Sequence, residues 1–425
     1  MPDKTIAARL KLQDMVRLAL AYFVVPVRRL NPLYPALPFL HFHRTFKMFF
    51  KIKSDVIPSF YKHFSLNQCA ASMIRVAACH VSPIFLSARE TTAKAITLIK
   101  QAARNKANLV VFPETYISAF PIWSSIRPPT DNHYLFERMA KESIFADSEE
   151  IRAIRNTAKQ ANIMVSMGFS EKTRFSSATL YNSNLFIGDS GDVLIHHRKL
   201  MPTFFEKLTW APGDGHGLRV ADNAYGKIGN LICGENTNPL ARYALMAQGE
   251  NIHLSTWPPI WPTRVPPMEQ STDEPKSTPD KPNYDNVTAN RTRAAAHCFE
   301  AKCFGVLCSG VLGDDAIDIV SEGSSYLTQV LKQSQRGATQ FLDTTGAPMK
   351  GFTIDSETGE EVTTECLQQE EDILYADLDV DQCIEGKQYH DVVGGYQRLD
   401  VFDLKVDRTR REPITFTEDN SQASS

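Results

Sequence analysis

An α/β fold of layered strands and helices is what the sequence predicts, and three observations predict it. Apolar, strand-like runs alternate with segments of helical spacing along most of the chain. The first run, helix and second run, residues 74–112, form a β-α-β unit. Hydrophobic residues make up 43% and charged residues 22%, which is the mix of a globular chain and excludes a disordered, collagenous or coiled-coil one.

The elements follow in order. Ile74 to Val81 is a strand run. Ala88 to Lys106 has helical spacing, with Thr92, Ala95, Ile96, Ile99 and Ala103 on one face. Asn108 to Phe112 is a second buried strand, stopped by Pro113 and Glu114. One helix is predicted over about 134–160, then a strand from Ile163 to Phe169. Thr179–Ile187 and Val193–His197 flank the turn Gly188-Asp189-Ser190-Gly191 and read as a hairpin. Lys227–Cys233 and Ile252–Ser255 are strands around a helix that opens at Asn238-Pro239, where proline is well tolerated. Residues 258–285 hold eight prolines and read as a long surface loop. Ala289–Ala301 is a helix, Cys303–Cys308 a strand and Ile373–Val380 the last clear strand. The polar tail after Arg411 is expected to be disordered.

Size alone allows two or three domains in 425 residues. The net charge of −3 argues against a nucleic-acid binder. That figure hides an asymmetry: residues 1–72 carry eleven Lys/Arg against three Asp, or +8, so the remainder carries −11. The leader is therefore basic and aromatic. It is expected to be an accessory extension, or upstream sequence not normally translated with Met73 as the true start; targeting is the competing reading. Its longest apolar run, Leu18 to Val27, is half the length of about 20 residues that a bilayer needs. The leader is not expected to bind a membrane. Eight cysteines are too few for a disulfide scaffold of this length, so a reducing, cytoplasmic home is expected.

The sharpest chemical signal is Leu231-Ile232-Cys233-Gly234-Glu235-Asn236-Thr237-Asn238-Pro239. An apolar strand ends in a cysteine, and a glycine lets the chain turn toward a helix. Such an elbow exposes a nucleophile and frees backbone N–H groups for an oxyanion. A lone cysteine at a strand end is more often buried and inert, because a thiol needs a base or cation to react. Partners exist: Phe112-Pro113-Glu114 puts a carboxylate past one buried strand, and His197-Arg198-Lys199 an ammonium past another. Beyond the strand ends of a layered sheet these three can converge. Glu206 adds a second acid seven residues after Lys199.

These segments, with His197 to Thr203, Glu206-Lys207-Leu208-Thr209-Trp210, Gly213-Asp214-Gly215 and Gly394 to Phe402, resemble the nitrilase branch of the carbon–nitrogen hydrolase superfamily over about 73–402. The resemblance implies a four-layer α-β-β-α sandwich. It also implies a nitrilase with Cys233 as nucleophile, Glu114 as general base, Lys199 as stabiliser of the intermediate and Glu206 as the positioning acid. It implies no cofactor or metal, a nitrile substrate, and a homo-oligomer ranging from dimer to spiral. An amide-forming nitrile or cyanide hydratase, or an amidase, is the alternative. Gly234 replaces the tryptophan usual in plant nitrilases and cyanide hydratases, which counts against cyanide. Gly395 and Leu399 replace the usual His and Pro of the C-terminal motif. Tyr116, Phe120, Trp123, Gly234 and Trp257 are pocket candidates, although the aromatics could equally be core.

Three expected segments follow: the extension 1–72, the hydrolase domain 73–405 and a polar tail 406–425. Loop 267–285 and the C-terminal segment are candidate contact or pocket-rim elements. Weaker signals are read as structural. His297-Cys298, Cys303 and Cys308 fit no common zinc spacing and are expected to be core. The sequons at Asn286 and Asn290 are expected to be chance matches. Asp377, Asp379 and Asp381 share a strand face expected to be solvated.

Overall fold

The burial of alternate side chains in the strands sets the layers of the molecule. The computed structural model describes residues 73–261 and 284–414. The expectations for the leader, for most of loop 258–285 and for residues 415–425 lie outside them. In β1 (Met73–His80), Ile74, Val76 and Ala78 face one apolar cluster, whereas Ala77 and Cys79 face another. Leu109 and Val111 of β2 (Leu109–Val111) join the first cluster, and Val110 joins the second. A strand buried on both faces lies between two layers, which is why these runs read as continuous rather than alternating apolar sequence.

Helices α1 (Ala88–Arg104) and α3 (Glu149–Ala161) cover the outer face, burying Ala95, Ile99, Ile151 and Ile154. The predicted helix 134–160 is instead two, α2 (His133–Glu142) and α3. Between them Ile144 bridges to Glu171 of β3 (Met164–Lys172), and the Ser148 hydroxyl accepts from the Ile151 amide to start α3 afresh. An N-cap outweighs continued helical spacing here.

The remaining strands of the first sheet are β4 (Leu180–Ile187), β5 (Val193–Arg198), β12 (Gly351–Ile354), β13 (Glu361–Thr364) and β14 (Asp372–Asp379). Their order, among the described residues, is β13-β12-β14-β1-β2-β3-β4-β5. β1, β2 and β3 run parallel, and β4 and β5 form the expected antiparallel hairpin. The second sheet runs β11-β10-β9-β8-β7-β6. It comprises β6 (Ala221–Asn223), β7 (Gly226–Ile232), β8 (Ile252–Trp257), β9 (Phe304–Ser309), β10 (Gln340–Leu342) and β11 (Pro348–Met349). Ile228, Leu254, Val306 and Phe341 of this sheet pack into the same cluster as Ile74 and Val111, so the two sheets stack face to face. On its far side lie α4 (Pro239–Met246), through Ala241 and Leu245, and α5 (Asn286–Ala301), through Ala294 and Cys298. The result is the four-layer α-β-β-α sandwich, with about 1–2 kcal/mol or more gained for each large apolar side chain so buried.

Two further helices, α6 (Asp314–Ser321) and α7 (Ser325–Gln333), and the short strands β10 to β13 were not expected from the sequence. A last helix, α8 (Gln382–Lys387), follows β14. No helix among the described residues is long and apolar enough to cross a membrane. The chain past residue 405 remains bound to the body: Arg410 donates to Asp214 at 2.8 Å and to His196 Nδ1 at 2.8 Å. Gly215 is required beneath this strap, because a Cβ there would lie 2.2 Å from the Asp407 carbonyl oxygen.

The cysteines expected in the core are there. Cys298, Cys303 and Cys308 are fully buried, with Cys308 between the sheets and the other two under α5. Asn286 and Asn290 are buried on α5, so neither sequon is open to glycosylation in the folded chain. Asp377 is exposed and clasps Arg75 through both carboxylate oxygens.

Candidate active site

Three strands deliver the reactive groups at their carboxyl ends. β2 ends just before Glu114, β5 just before Lys199, and β7 just before Cys233. Glu206 arrives on a short 3-10 turn, 204–208. Glu114, Lys199, Glu206 and Cys233 are all buried. Lys199 Nζ donates to Glu114 Oε1 at 2.8 Å and to the two Glu206 oxygens at 2.9 and 2.7 Å. One acceptor atom from each of Glu114, Glu206 and Cys233 lies within 4.8 Å of the others. The convergence expected of residues 85 and 119 positions apart is thus met in space.

The hydrogen bonds around Glu114 are unequal. Oε1 accepts from Lys199 and from Asn182 Nδ2 of β4, the latter at 2.6 Å. Oε2 is buried and has no partner among the described residues. One oxygen is therefore committed to holding the carboxylate, and the other is free to take a proton.

Cys233 sits at a backbone φ of 51°, a left-handed conformation that costs a non-glycine residue about 1 kcal/mol or more and is typical of functional turns. The next residue, Gly234, has no room for a side chain: a Cβ would lie 2.3 Å from Thr203 Oγ1. That contact is a local reason for glycine at this position. Burial pushes the Cys233 thiol well above its usual pKa; the charge of Glu114 adds to this and Lys199 opposes it. Burial would pull the Lys199 ammonium down, but Cys233, Glu114 and Glu206 outweigh it and hold it well above the usual value. Glu206 is pushed up to about 7 by burial, against the pull of Lys199 and with the help of Glu114. The resting site thus holds a protonated thiol, a charged lysine and a carboxylate with one open oxygen.

Glu235 and Asn236, quoted in the motif but given no role there, hold the elbow. The buried Glu235 carboxylate accepts from Ile232 N at 2.8 Å, Leu200 N at 2.5 Å and His197 Nε2 at 2.9 Å. It ties the residue before the nucleophile to Leu200, next to Lys199, and to His197, two residues before it. Asn236 Nδ2 donates to the carbonyls of Leu231 and Cys233, at 3.1 and 3.0 Å. Its Oδ1 accepts from His253 Nε2 at 2.8 Å, and His253 Nδ1 reaches Glu250 Oε1 at 2.9 Å. The other Glu250 oxygen accepts from His297 Nε2 at 2.6 Å, and the two rings stack 3.6 Å apart. His253, Glu250 and His297 are completely buried. Both ring nitrogens of His253 are thereby engaged. Only residue type hinted at this chain of contacts, because apart from Glu250 and His253, three residues apart, its links join residues 17 and 47 positions apart.

The pocket candidates separate. Gly234 and Trp257 line a cavity with Cys233, Thr203, Trp261 and Arg293. Tyr116 and Phe120 line a neighbouring cavity that reaches Glu114. Trp123 lies in neither: it is buried in an apolar cluster edge-on to Phe85, at a centroid distance of 6.1 Å. Its large apolar ring shares that cluster with Leu135 of α2 and with Ala316, Ile317 and Val320 of α6.

Comparisons with known proteins show the family and the fold. The family profile described as carbon-nitrogen hydrolase matches residues 75–388. A nitrilase of Penicillium rubens is 31% identical over 349 residues, covering 81% of this chain and 97% of its own. An arylacetonitrilase of Hypocrea virens is 31% identical over 79% of this chain and 92% of its own. An aliphatic nitrilase of Rhodococcus rhodochrous is 28% identical over 81% and 82%. Among solved structures, a carbon-nitrogen hydrolase from Helicobacter pylori superposes with a TM-score of 0.56 at 18% identity, covering 78% of this chain and 97% of that one. Saccharomyces cerevisiae Nit3 gives 0.53 at 20% identity, over 78% and 97%. These two likenesses speak to the fold.

Proposed function

The chain belongs to the carbon–nitrogen hydrolase family, in its nitrilase branch, and on that footing we propose that it hydrolyses an organic nitrile to a carboxylic acid and ammonia through Cys233. The observation that carries the mechanism is the unpartnered Glu114 Oε2 beside a buried, protonated Cys233 thiol.

Glu114 Oε2 takes the thiol proton as sulfur attacks the nitrile carbon. The nitrile nitrogen, gaining negative charge, is protonated from the acid pair, and a thioimidate forms. A first water, deprotonated by Glu114, adds to the same carbon. Lys199 and the Gly234 N–H stabilise the charge that develops in the tetrahedral intermediate. Its C–N bond breaks, ammonia leaves, and a thioester remains. A second water releases the acid and restores the thiol. Should the intermediate expel sulfur first, the amide is the product. The acid-to-amide ratio therefore separates a nitrilase from a hydratase, and turnover of amides alone would mark an amidase.

Glu206 accepts two bonds from Lys199 and so holds that ammonium aimed between both acids. Glu114→Gln keeps the size and the Lys199 contact but removes the proton acceptor. It should lower kcat by about 10²- to 10⁴-fold, with substrate binding largely kept; pre-steady-state ammonia release measures it. Unchanged kcat would assign the base elsewhere.

The chain is also proposed to assemble with copies of itself. Tyr396, Leu399 and Phe402 are 66, 78 and 72% exposed, a row of large apolar side chains within seven residues. A second copy of the same surface would cover them. Leu399→Glu with Phe402→Glu should reduce the particle mass seen by light scattering at micromolar protein; an unchanged mass would exclude this row as the contact. A reducing, cytoplasmic setting is supported by the seven unpaired cysteines among the described residues.

A further inference from the structure

Within the proposed nitrile reading, we infer that the pocket selects substrates carrying an anionic group, a carboxylate above all, remote from the nitrile, and that Arg293 is the residue that selects them. The inference rests on that reading for the reaction but on separate observations for the choice of substrate.

The cavity beside Cys233 has two unlike walls. One is aromatic and apolar, built from Trp257, Pro258 and Trp261. The other is the face of α5 that carries Asn286, Asn290 and Arg293. Spacings of four and three residues put these side chains on one side of a helix. An enzyme selecting only neutral hydrocarbon nitriles has no use for a cation and the Asn290 amide there, because each must be desolvated when an apolar ligand fills the cavity; the Asn286 amide is engaged with the Gln335 carbonyl at 2.9 Å.

Arg293 has no acidic partner among the described residues. Its Nε donates to Thr237 Oγ1 at 2.8 Å and one terminal nitrogen donates to Tyr284 Oη at 2.6 Å. The guanidinium lies 5.8 Å from the Trp257 ring centroid and 5.9 Å from that of Tyr284. Neutral partners hold the side chain in place, and no carboxylate among the described residues compensates its charge. The acid closest in sequence, Asp285 at the start of α5, is engaged with Thr288 and Gln335. Arg293 is near enough to Cys233 to favour its thiolate electrostatically, so both address one cavity. Asn290 is 7% exposed, and its carboxamide has no hydrogen-bond partner among the described residues. A planar cation with a free edge next to an unused amide suits a carboxylate, which can take two parallel N–H bonds from the one and a third from the other. The indole walls would enclose the carbon skeleton between the two ends.

The test uses ω-cyanocarboxylates with two to five methylenes between the groups. Each is matched to a nitrile in which isopropyl replaces the carboxylate, and the corresponding amides are run alongside. With the full-length wild-type protein, kcat/KM for the best cyanocarboxylate should exceed that of its neutral match by about tenfold or more. Arg293→Gln should reduce this ratio by about 10- to 100-fold, chiefly through KM, as expected for the loss of a charge-assisted hydrogen bond. Arg293→Lys, which keeps the charge but not the fork, should recover part of it. Because the readout is a ratio within one protein sample, a partly unfolded variant does not mimic the effect. Neutral matches leading at every length, or a ratio unmoved in Arg293→Gln, would overturn the inference while leaving nitrile hydrolysis intact. Turnover confined to the amides would overturn the nitrile reading instead, and the anionic-to-neutral ratio of the amide pairs would still decide the role of Arg293.

Discussion

Cys233→Ala should release ammonia from a panel of aliphatic, aromatic and arylaliphatic nitriles at a rate lower by a factor on the order of 10⁴ or more. The loss is expected to be nearly complete because no other group can take the role. The other buried thiols lie within the layers, and Cys308 already donates to the carbonyls of Cys79 and Val111. The variant should fold, since the substitution removes one sulfur at a cavity edge and keeps a side chain that tolerates the same turn nearly as well. Thermal unfolding within a few degrees of wild type, together with lost turnover, is the expected pair of results. Ammonia release that survived in a folded Cys233→Ala protein would sink the thioimidate mechanism.

Glu250→Ala should have the largest effect on stability, on the order of 3–5 kcal/mol, measured by urea unfolding at pH 7.5. The carboxylate is fully buried and is the acceptor for both His253 Nδ1 and His297 Nε2. Removing it leaves two imidazole N–H groups in a dry interior without partners. It also frees Asn236, through which the Cys233 carbonyl is held, so kcat should fall even in the folded fraction. Burial opposes ionisation of Glu250, but His253 and His297 outweigh it and bring its pKa down to about 2. Burial brings His297 down to about 4, helped by the charge on His253.

The signs follow from linkage. A carboxyl at about 2 when folded and about 4.5 when unfolded contributes stability above 4.5 that disappears as pH falls toward 2. A histidine at about 4 when folded and about 6.5 when unfolded lets the unfolded chain bind the proton first, so stability also falls between 6.5 and 4. Glu206 acts oppositely: raised to about 7 from 4.5, it contributes stability at low pH that is lost as pH rises through that window. In Glu250→Ala the slope of stability should flatten between pH 4.5 and 2, the window of the lost carboxyl, whereas the His297 slope below 6.5 should remain, because Glu250 raises that histidine's pKa rather than lowering it. A slope equal to wild type between pH 4.5 and 2 would show that Glu250 is not what acid disrupts there.

Legibility in the sequence varied with the range of the interactions. The β-α-β unit, the hairpin and the helix after Asn238 were readable because each is declared locally, by period, turn residues or a cap. The split of 134–160 was not, since the break depends on Ile144 pairing with Glu171. Strands β10 to β13 have two to four residues each, too few to show a period, and exist because neighbouring strands offer edges. At the site, Cys233, Glu114, Lys199 and Glu206 stood out because each follows a strand end within a motif. Asn182, Glu250 and His253 did not, because nothing in their own neighbourhoods distinguishes a buried partner from an ordinary core or loop residue. Trp123 misleads for the same reason: a large aromatic after a catalytic strand looks alike whether it lines a pocket or fills the core.

The sequence by itself determined the layers and pointed to the chemistry, through strand periodicity and three reactive residues past strand ends with Glu206 on the turn that follows. Tertiary structure alone decided which oxygen of Glu114 is free, what clamps the elbow, and which helix face meets the nucleophile. Those are matters of distance between segments remote in the chain, set by how two sheets and their helices pack. No local pattern of residues encodes such distances.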